Sequence, residues 1–220
     1  MDQRAEIEWR GKVPVSRRFD DPYFSLEDGV AETEHVFLRG NGIPQRFRPG
    51  FHIAELGFGT GLNLLVAWRA WIDAGLEGPL RFTSFEAFAL SAEDMARALQ
   101  AYPALAELAA PLVAAWESGQ DLRTDTLHLN VVLGDARETL PEWGGQADCW
   151  FLDGFAPAQN PELWEPALMA QVARHTAPEG SFATYTAAGA VRRALAEAGF
   201  SVERLPGFGR KRHMTAGRLV

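Results

Sequence analysis

Residues 51–63 constrain the fold more than any other stretch: Phe51-His52-Ile53-Ala54-Glu55-Leu56-Gly57-Phe58-Gly59-Thr60-Gly61-Leu62-Asn63. An apolar run ends on an acidic residue and enters a turn with three glycines in five residues. Beyond it Leu64, Leu65, Trp68, Trp71 and Ile72 recur at three- and four-residue steps, the spacing of one helix face. Strand, glycine turn and helix begin an open α/β sheet, which takes small ligands at the carboxyl ends of its strands. Glycine tolerates the dihedrals of such a turn and sets no Cβ between backbone and ligand. A tight βα turn that only packs is the competing reading.

Spacing narrows the ligand. A dinucleotide turn needs G-x-G-x-x-G, and counted from Gly57 its third glycine falls on Leu62. A P-loop needs Lys-Ser/Thr after its last glycine, and Leu62-Asn63 follows Gly61. What remains is E-x-G-x-G-x-G, with the carboxylate of Glu55 inside the strand. An acid there repels a pyrophosphate and suits a cationic ligand. S-adenosylmethionine, a sulfonium with a free amino group, fits.

A chain of 220 residues with 47% hydrophobic residues supports one α/β domain with decorations. No apolar stretch approaches the roughly 18 residues of a membrane helix, and Met1 to Glu6 has no signal-peptide core. A cytoplasmic protein without membrane contact is the expectation. Cys149 is the single cysteine, which leaves no disulfide framework. His35, His52, His128, His175 and His213 show no ligand spacing, so no metal is expected. A formal charge of -8 disfavours nucleic-acid binding through a whole-surface basic field but leaves room for a local basic patch.

Residues 1–50 read as an amino-terminal β extension, with short strands at Tyr23-Phe24-Ser25 and Glu34 to Leu38 split by the turn Glu27-Asp28-Gly29. It either covers the crevice or only packs. Residues 51–220 read as the α/β core. Strands are expected at 80–85, 127–133, 147–152, 180–185, 200–205 and 213–220. Helices are expected over 91–117 (divided by Pro103 and Pro111), 138–143, 162–175 (capped by Asn160, with Pro161 first) and 188–198.

Glu55, Glu86, Asp135 and Asp153 fall at or near the ends of four strands, the line along which an open sheet holds its ligand. Glu86 can accept from both ribose hydroxyls, and Glu55 can act on the cationic methionine end. Asp135, followed by Ala136, can accept from the adenine amino group. The plain alternatives are a solvated acid for Glu86 and an ordinary Gly-Asp turn for Asp135. Asp153 points from a buried strand into the aromatic loop Phe155-Ala156-Pro157. A methylated amine must present its lone pair, and a carboxylate can orient it and take its proton. A second cofactor contact or a loop cap is the alternative. Phe58, Phe155, Trp164, Tyr185 and Phe208 all fall near strand ends, where an aromatic face suits a sulfonium or a stacked base.

With those residues in place, the chain resembles a known family over nearly its whole length. Tyr23-Phe24-Ser25, Glu32-Thr33, Val36-Phe37-Leu38 and Gly40-Asn41 resemble the amino-terminal signature of bacterial tRNA 5-methylaminomethyl-2-thiouridine methyltransferases. So do residues 55–63, Leu152 to Pro157 with Asn160-Pro161 and Trp164, Tyr185 to Gly189, and Pro206 to Arg212. The chain is similar to the methyltransferase half of the bifunctional MnmC enzymes. The resemblance implies a class I S-adenosylmethionine-dependent methyltransferase, Rossmann-like, with a seven-stranded sheet whose last strand is antiparallel. It implies methyl transfer to the aminomethyl nitrogen of 5-aminomethyl-(2-thio)uridine at the wobble position of tRNA. Carried over by position, it implies Glu55, Gly57, Gly59, Gly61 and Asn63 as the cofactor turn, with Asp153 as the catalytic acid. Phe58, Glu86, Asp135 and Ala136 complete the expected cofactor site. In the family a flavin-dependent oxidase half releases the amine; no such half is expected here, and so no FAD, which makes a separate or missing oxidase a partner.

The expected tRNA contact is the anticodon loop, through Phe155, Trp164, Tyr185 and Phe208 with the basic Arg210, Lys211 and Arg212 beside the aromatic turn. A solvated charged turn is the alternative for that patch. Two other functions stay open: methyl or aminopropyl transfer to a small free amine, which an acidic surface suits, and a non-catalytic nucleotide-binding module.

Overall fold

The continuous apolar runs become the inner strands of one sheet, because a parallel strand covered on both faces needs apolar residues on both. The computed structural model describes residues 4–25, 28–119 and 121–220. It begins with three short antiparallel strands, β1 (Ile7–Arg10), β2 (Val13–Ser16) and β3 (Asp21–Pro22). A helical segment follows: α1 (Gly29–Thr33), one π-helical turn over Glu34–Leu38 and a 3-10 turn over Arg39–Asn41. The core then runs β4 (His52–Leu56), α2 (Leu62–Asp73), β5 (Leu80–Glu86), α3 (Ala92–Leu99), α4 (Ala106–Ser118), β6 (Leu122–Arg123) and β7 (Leu127–Leu133). It continues through α5 (Ala136–Thr139), β8 (Ala147–Leu152), α6 (Pro166–Arg174), β9 (Thr176–Thr184), α7 (Gly189–Glu197), β10 (Phe200–Pro206) and β11 (His213–Leu219).

The strand order is β10-β11-β9-β8-β4-β5-β7-β6. β11 runs antiparallel to both neighbours, and β4, β5, β7, β8 and β9 are parallel. These are the seven expected strands; the two-residue β6 adds an antiparallel eighth on the edge of β7. The chain leaves β4 outward through β5 and β7 and returns to β8 on the other side. The order therefore reverses beside β4, where an open sheet forms its crevice. Alternation along β4 divides the core: Ile53 packs with Phe82, Phe151 and α2 on one face, Ala54 and Leu56 with Trp150 and α6 on the other.

The amino-terminal segment departs from expectation. Residues 34–38 are helical, not a strand. Asp28 accepts from the Ala31 N–H as an N-cap with Glu32 in the first turn, so the helix is already started when Val36, Phe37 and Leu38 are reached. Their apolar run reads as a strand because they are all buried. Tyr23 and Phe24 lie in a bend after β3, and Ser25 is in no strand; Glu27 of the expected turn lies outside the described residues.

Three helix boundaries also move. Pro103 opens a separate 3-10 turn, but Pro111 lies inside α4 without dividing it, because Ala109, Leu112 and Trp116 pack into the core across the lost hydrogen bond. The expected helix over 162–175 splits: Glu165 is extended ahead of Pro166, so a 3-10 turn over Pro161–Trp164 precedes α6, and Asn160 makes no side-chain cap. α5 starts at Ala136, because Asp135 caps it.

Candidate active site

The carboxyl ends of the central strands open into one cleft of about 1200 Å3. Gly57, Phe58, Gly59, Asn63, Glu86, Asp135, Ala136, Asp153, Phe155, Tyr185, Phe208, Arg210 and Lys211 all line it; Glu55, Gly61, Trp164 and Arg212 do not. Gly57, at φ 88°, lies so close to the Asp153 loop that a Cβ would collide with the Asp153 carbonyl oxygen. Asp153 N donates to the Leu56 carbonyl at 3.1 Å, which locks the two loops side by side. Gly61, at φ 77°, ends the turn as the N-cap of α2.

Glu86 closes β5 with both oxygens engaged: Oε2 accepts from Gly59 N at 3.0 Å and Oε1 from Phe88 N at 2.6 Å. Burial pushes its pKa up against these N–H donors. The remaining lone pairs can take a diol. Asp135 accepts from Arg137 N at 2.9 Å and from Arg137 Nη2 at 2.6 Å, and the guanidinium holds its carboxyl below the usual range. An adenine amino group would share this carboxylate with Arg137. Phe58 stacks on Trp116 with ring centroids 4.9 Å apart.

Behind the cleft lies a buried chain of hydrogen bonds. Asn63 Nδ2 donates to Glu55 Oε1 at 2.9 Å and to Asp153 Oδ2 at 2.6 Å. Ser84 Oγ donates to Glu55 Oε2 at 2.8 Å, and Thr33 Oγ1, from α1, donates to Asn63 Oδ1 at 2.7 Å. The Thr33 hydroxyl thereby fixes which way the amide faces. Glu55 is fully buried, and its pKa stands well above the ordinary carboxylate value for that reason. It touches the cleft only through Asn63. Burial also pushes Asp153 up, to about 7; the Asn63 donor and Lys211 oppose this, while Glu32 and Asp21 add to it. A carboxyl that titrates near neutrality suits proton transfer.

Aromatic residues build the outer wall. Phe155 stacks on Phe19 at 4.8 Å and meets Tyr23 edge-on at 5.1 Å. The loop carrying it is tied down where Ala156 N donates to Asp21 Oδ2 at 2.8 Å. Trp164 is buried and props this loop, donating from Nε1 to the Phe155 carbonyl at 2.9 Å. The Tyr185 hydroxyl donates to the Gly154 carbonyl at 2.7 Å. Arg210, Lys211 and Arg212 are all exposed, with the Lys211 ammonium set on Glu32, 2.8 Å away.

Asp21, Tyr23, Glu32, Thr33 and Ser84 are part of this geometry and absent from the sequence candidates. Tyr23, Glu32 and Thr33 do stand within the amino-terminal signature, which is the signal that marks them. Asp21 and Ser84 carry none. Among the described residues no group of three or more His, Cys, Asp or Glu is placed to hold a metal ion.

The donor set fits S-adenosylmethionine. Glu86 is pinned to the glycine turn with acceptor capacity toward the cleft, and the wall is rich in carboxylates and aromatic faces, as a nucleoside with a cationic end requires. Strand order, antiparallel last strand, glycine turn and strand-end acids together define a Rossmann-like methyltransferase of class I. The chain belongs to the S-adenosyl-L-methionine-dependent methyltransferase family, whose sequence model matches residues 100–219. It is 44% identical over 236 residues to the tRNA 5-methylaminomethyl-2-thiouridine biosynthesis bifunctional protein MnmC of Pseudomonas paraeruginosa, covering 98% of this chain and 35% of that protein. The MnmC of Idiomarina loihiensis is 45% identical over 238 residues, covering 100% of this chain and 39% of that protein. The chain thus spans little more than a third of these relatives. The crystal structure of MNMC2 from Aquifex aeolicus superposes with a TM-score of 0.78 at 27% identity, covering 99% of this chain and 71% of that one. Among the described residues no single helix is long and apolar enough to cross a membrane.

Proposed function

We propose that the chain methylates the aminomethyl nitrogen of 5-aminomethyl-(2-thio)uridine at the tRNA wobble position, giving 5-methylaminomethyl-(2-thio)uridine. The observation that carries this reading is Asp153, held by Asn63 at the cleft wall in a chain 44% identical to relatives named for that nucleoside. S-adenosylmethionine, when bound, supplies the methyl group. Glu86 and the turn around Gly59 would hold its ribose, and Asp135 and Ala136 its base. Asp153 accepts a hydrogen bond from the substrate amine, aims its lone pair and takes up the proton that leaves nitrogen. At about 1200 Å3 the cleft exceeds the roughly 300–1000 Å3 of ordinary small-molecule sites, which suits a cofactor and a splayed base together.

The net charge of -8 confines phosphate contacts to local patches, of which the exposed Arg210 and Arg212 beside Phe208 are the candidates for the anticodon loop. Residues 1–50 act as an extension that completes the site of a methyltransferase domain over 51–220, through Glu32 and Thr33. The amine comes from a flavin-dependent oxidase, on a separate chain or in the part of the relatives that this chain does not span. A tRNA substrate sets the reaction in the cytoplasm.

A second reading, methyl or aminopropyl transfer to a small free amine, draws support from the acidic wall of Asp21, Glu32 and Asp153. Methyl incorporation into tRNA from cells lacking the modification, measured against free polyamines with the nucleoside product identified, separates the two. Incorporation at the wobble aminomethyl nitrogen is expected; methylation of polyamine alone would overturn the first reading.

A further inference from the structure

A lysine in the turn between β10 and β11 ordinarily extends its head into water. Lys211, its side chain 47% exposed, instead turns its head onto the cleft wall. Its Nζ lies 4.0 Å from the centroid of the Tyr185 ring and 2.8 Å from Glu32 Oε1. The Glu32 side chain is only 13% exposed, so its carboxylate faces the cleft rather than the surface. The ring is itself held, by its hydroxyl bond to the Gly154 carbonyl and by Trp164 edge-on at 6.5 Å. Gly154 adjoins Asp153, and the charges of Asp153, Asp21 and Glu32 all bear on Tyr185. An aromatic face with a carboxylate beside it is the arrangement that holds an alkylammonium. The head of lysine is a primary alkylammonium.

We propose that the Tyr185 ring and the Glu32 carboxylate form the seat of the substrate's aminomethyl group in its ammonium form, and that Lys211 is a tethered occupant which a primary alkylammonium displaces. The proposal rests on the amine substrate argued above and adds the residues that recognise it. Exchanging one ammonium for another keeps Glu32 paired throughout, avoiding the cost of an unpaired, largely buried carboxylate. The seat also selects: an amine that still carries a carboxylate meets Glu32, Asp21 and Asp153 and is repelled, whereas a bare aminomethyl group is not. Lys211 is then a positioning residue that sets how readily the seat opens.

Ethylammonium is the probe, and ring-labelled tyrosine the reporter, since the chain has only three tyrosines to distinguish. In Lys211→Ala, ethylammonium should move the Tyr185 ring resonances with a Kd at least tenfold below that of the unaltered chain. Adding Glu32→Gln should raise that Kd at least tenfold again. Lys211→Met, which keeps the stem over the ring without the charge, should bind ethylammonium less tightly than Lys211→Ala. A Kd that ignores either the Lys211→Ala or the Glu32→Gln change would overturn the seat. No tRNA enters this measurement. If ethylammonium binds as expected while tRNA is never methylated, the wobble-uridine reading fails and the seat stands; the opposite pair of results removes the seat alone.

Discussion

Asn63 holds Asp153 Oδ2 at 2.6 Å with the same amide nitrogen that donates to Glu55 Oε1 at 2.9 Å. One neutral amide thus joins a fully buried acid to one that faces the cleft. Glu55 keeps its proton well above the usual carboxylate range because it is buried, so the charge on this network falls to Asp153. The geometry depends on the amide being turned one way, and Thr33 Oγ1, 2.7 Å from Asn63 Oδ1, sets that turn.

Thr33→Val removes the hydroxyl and keeps the shape. With the amide free to flip, the donor that lowers the pKa of Asp153 is lost. We expect kcat to fall about tenfold, the size of one lost catalytic hydrogen bond of about 1.4 kcal/mol, and the acid limb of the kcat profile to move to higher pH. Thr33→Ser should restore both. A fall in kcat with an unmoved pH profile would make Thr33 a packing residue only.

Asp153 itself should shape the pH dependence twice. Its carboxyl rises from an ordinary 3.8 to about 7 in the folded chain, chiefly through burial. Activity that needs the ionised form should therefore climb through about pH 7. For stability the sign is opposite: between about pH 4 and 7 the folded chain holds a proton that the unfolded chain has released, so folding weakens as pH rises across that window. Asp153→Asn should melt a few degrees above the unaltered chain at pH 8, with the gap closing toward pH 4, while turnover is lost. Thermal melts at both pH values check this, and an equal gap at each would exclude Asp153 as the cause.

Gly57→Ala should be among the costliest single-methyl changes in the chain. Gly57 combines a left-handed φ of 88° with backbone contact to the Asp153 carbonyl, so the loops must part. A loss of about 3 kcal/mol or more is expected from strain and collision together. Gly75→Ala, at φ 65° with nothing within 4 Å of its Cβ, should cost only about 1 kcal/mol. Denaturant midpoints compare them directly.

Much of this was legible in the residues. Apolar runs and the turns that bound them located six of the seven core strands within a residue, because a covered sheet leaves a continuous signal; β9 begins at Thr176, four residues early, since Ala177-Pro178-Glu179-Gly180 reads as a turn. Residues 34–38 misled because a fully buried helix turn and a buried strand have the same composition; only the cap at Asp28 distinguishes them. Glu55 was visible, but not that its carboxylate faces Asn63 and Ser84 away from the cleft. Thr33 and Glu32 could be marked only through the amino-terminal signature, since their partners Asn63 and Lys211 lie 30 and 179 residues away.

The basic turn should divide by direction. Arg210→Ala with Arg212→Ala should raise the KM for tRNA and reduce the slope of log binding against log salt by about 1 to 2. With tRNA that lacks the aminomethyl group, Lys211→Ala should leave that slope unchanged, because the Lys211 head then stays on Glu32. Filter binding at several salt concentrations reads both, and an unchanged slope in the arginine pair would remove them from the tRNA contact.

Arg46 donates to the Asn41, Asp148 and Glu179 carbonyls and to Ser181 Oγ, and Asn41 Nδ2 donates to the Trp150 carbonyl. Apart from Asn41, these partners follow in sequence by 102 to 135 residues. During synthesis Thr33 meets Asn63 within 30 residues, whereas the anchors of Arg46 and Asn41 on β8 and β9 follow by more than 100 residues. The bonds that tie this segment to the sheet are therefore complete only once β8 and β9 are both present. A nascent chain shorter than Ser181 would already contain the glycine turn and Asp153, yet would lack part of the anchoring that ties the amino-terminal segment to the sheet.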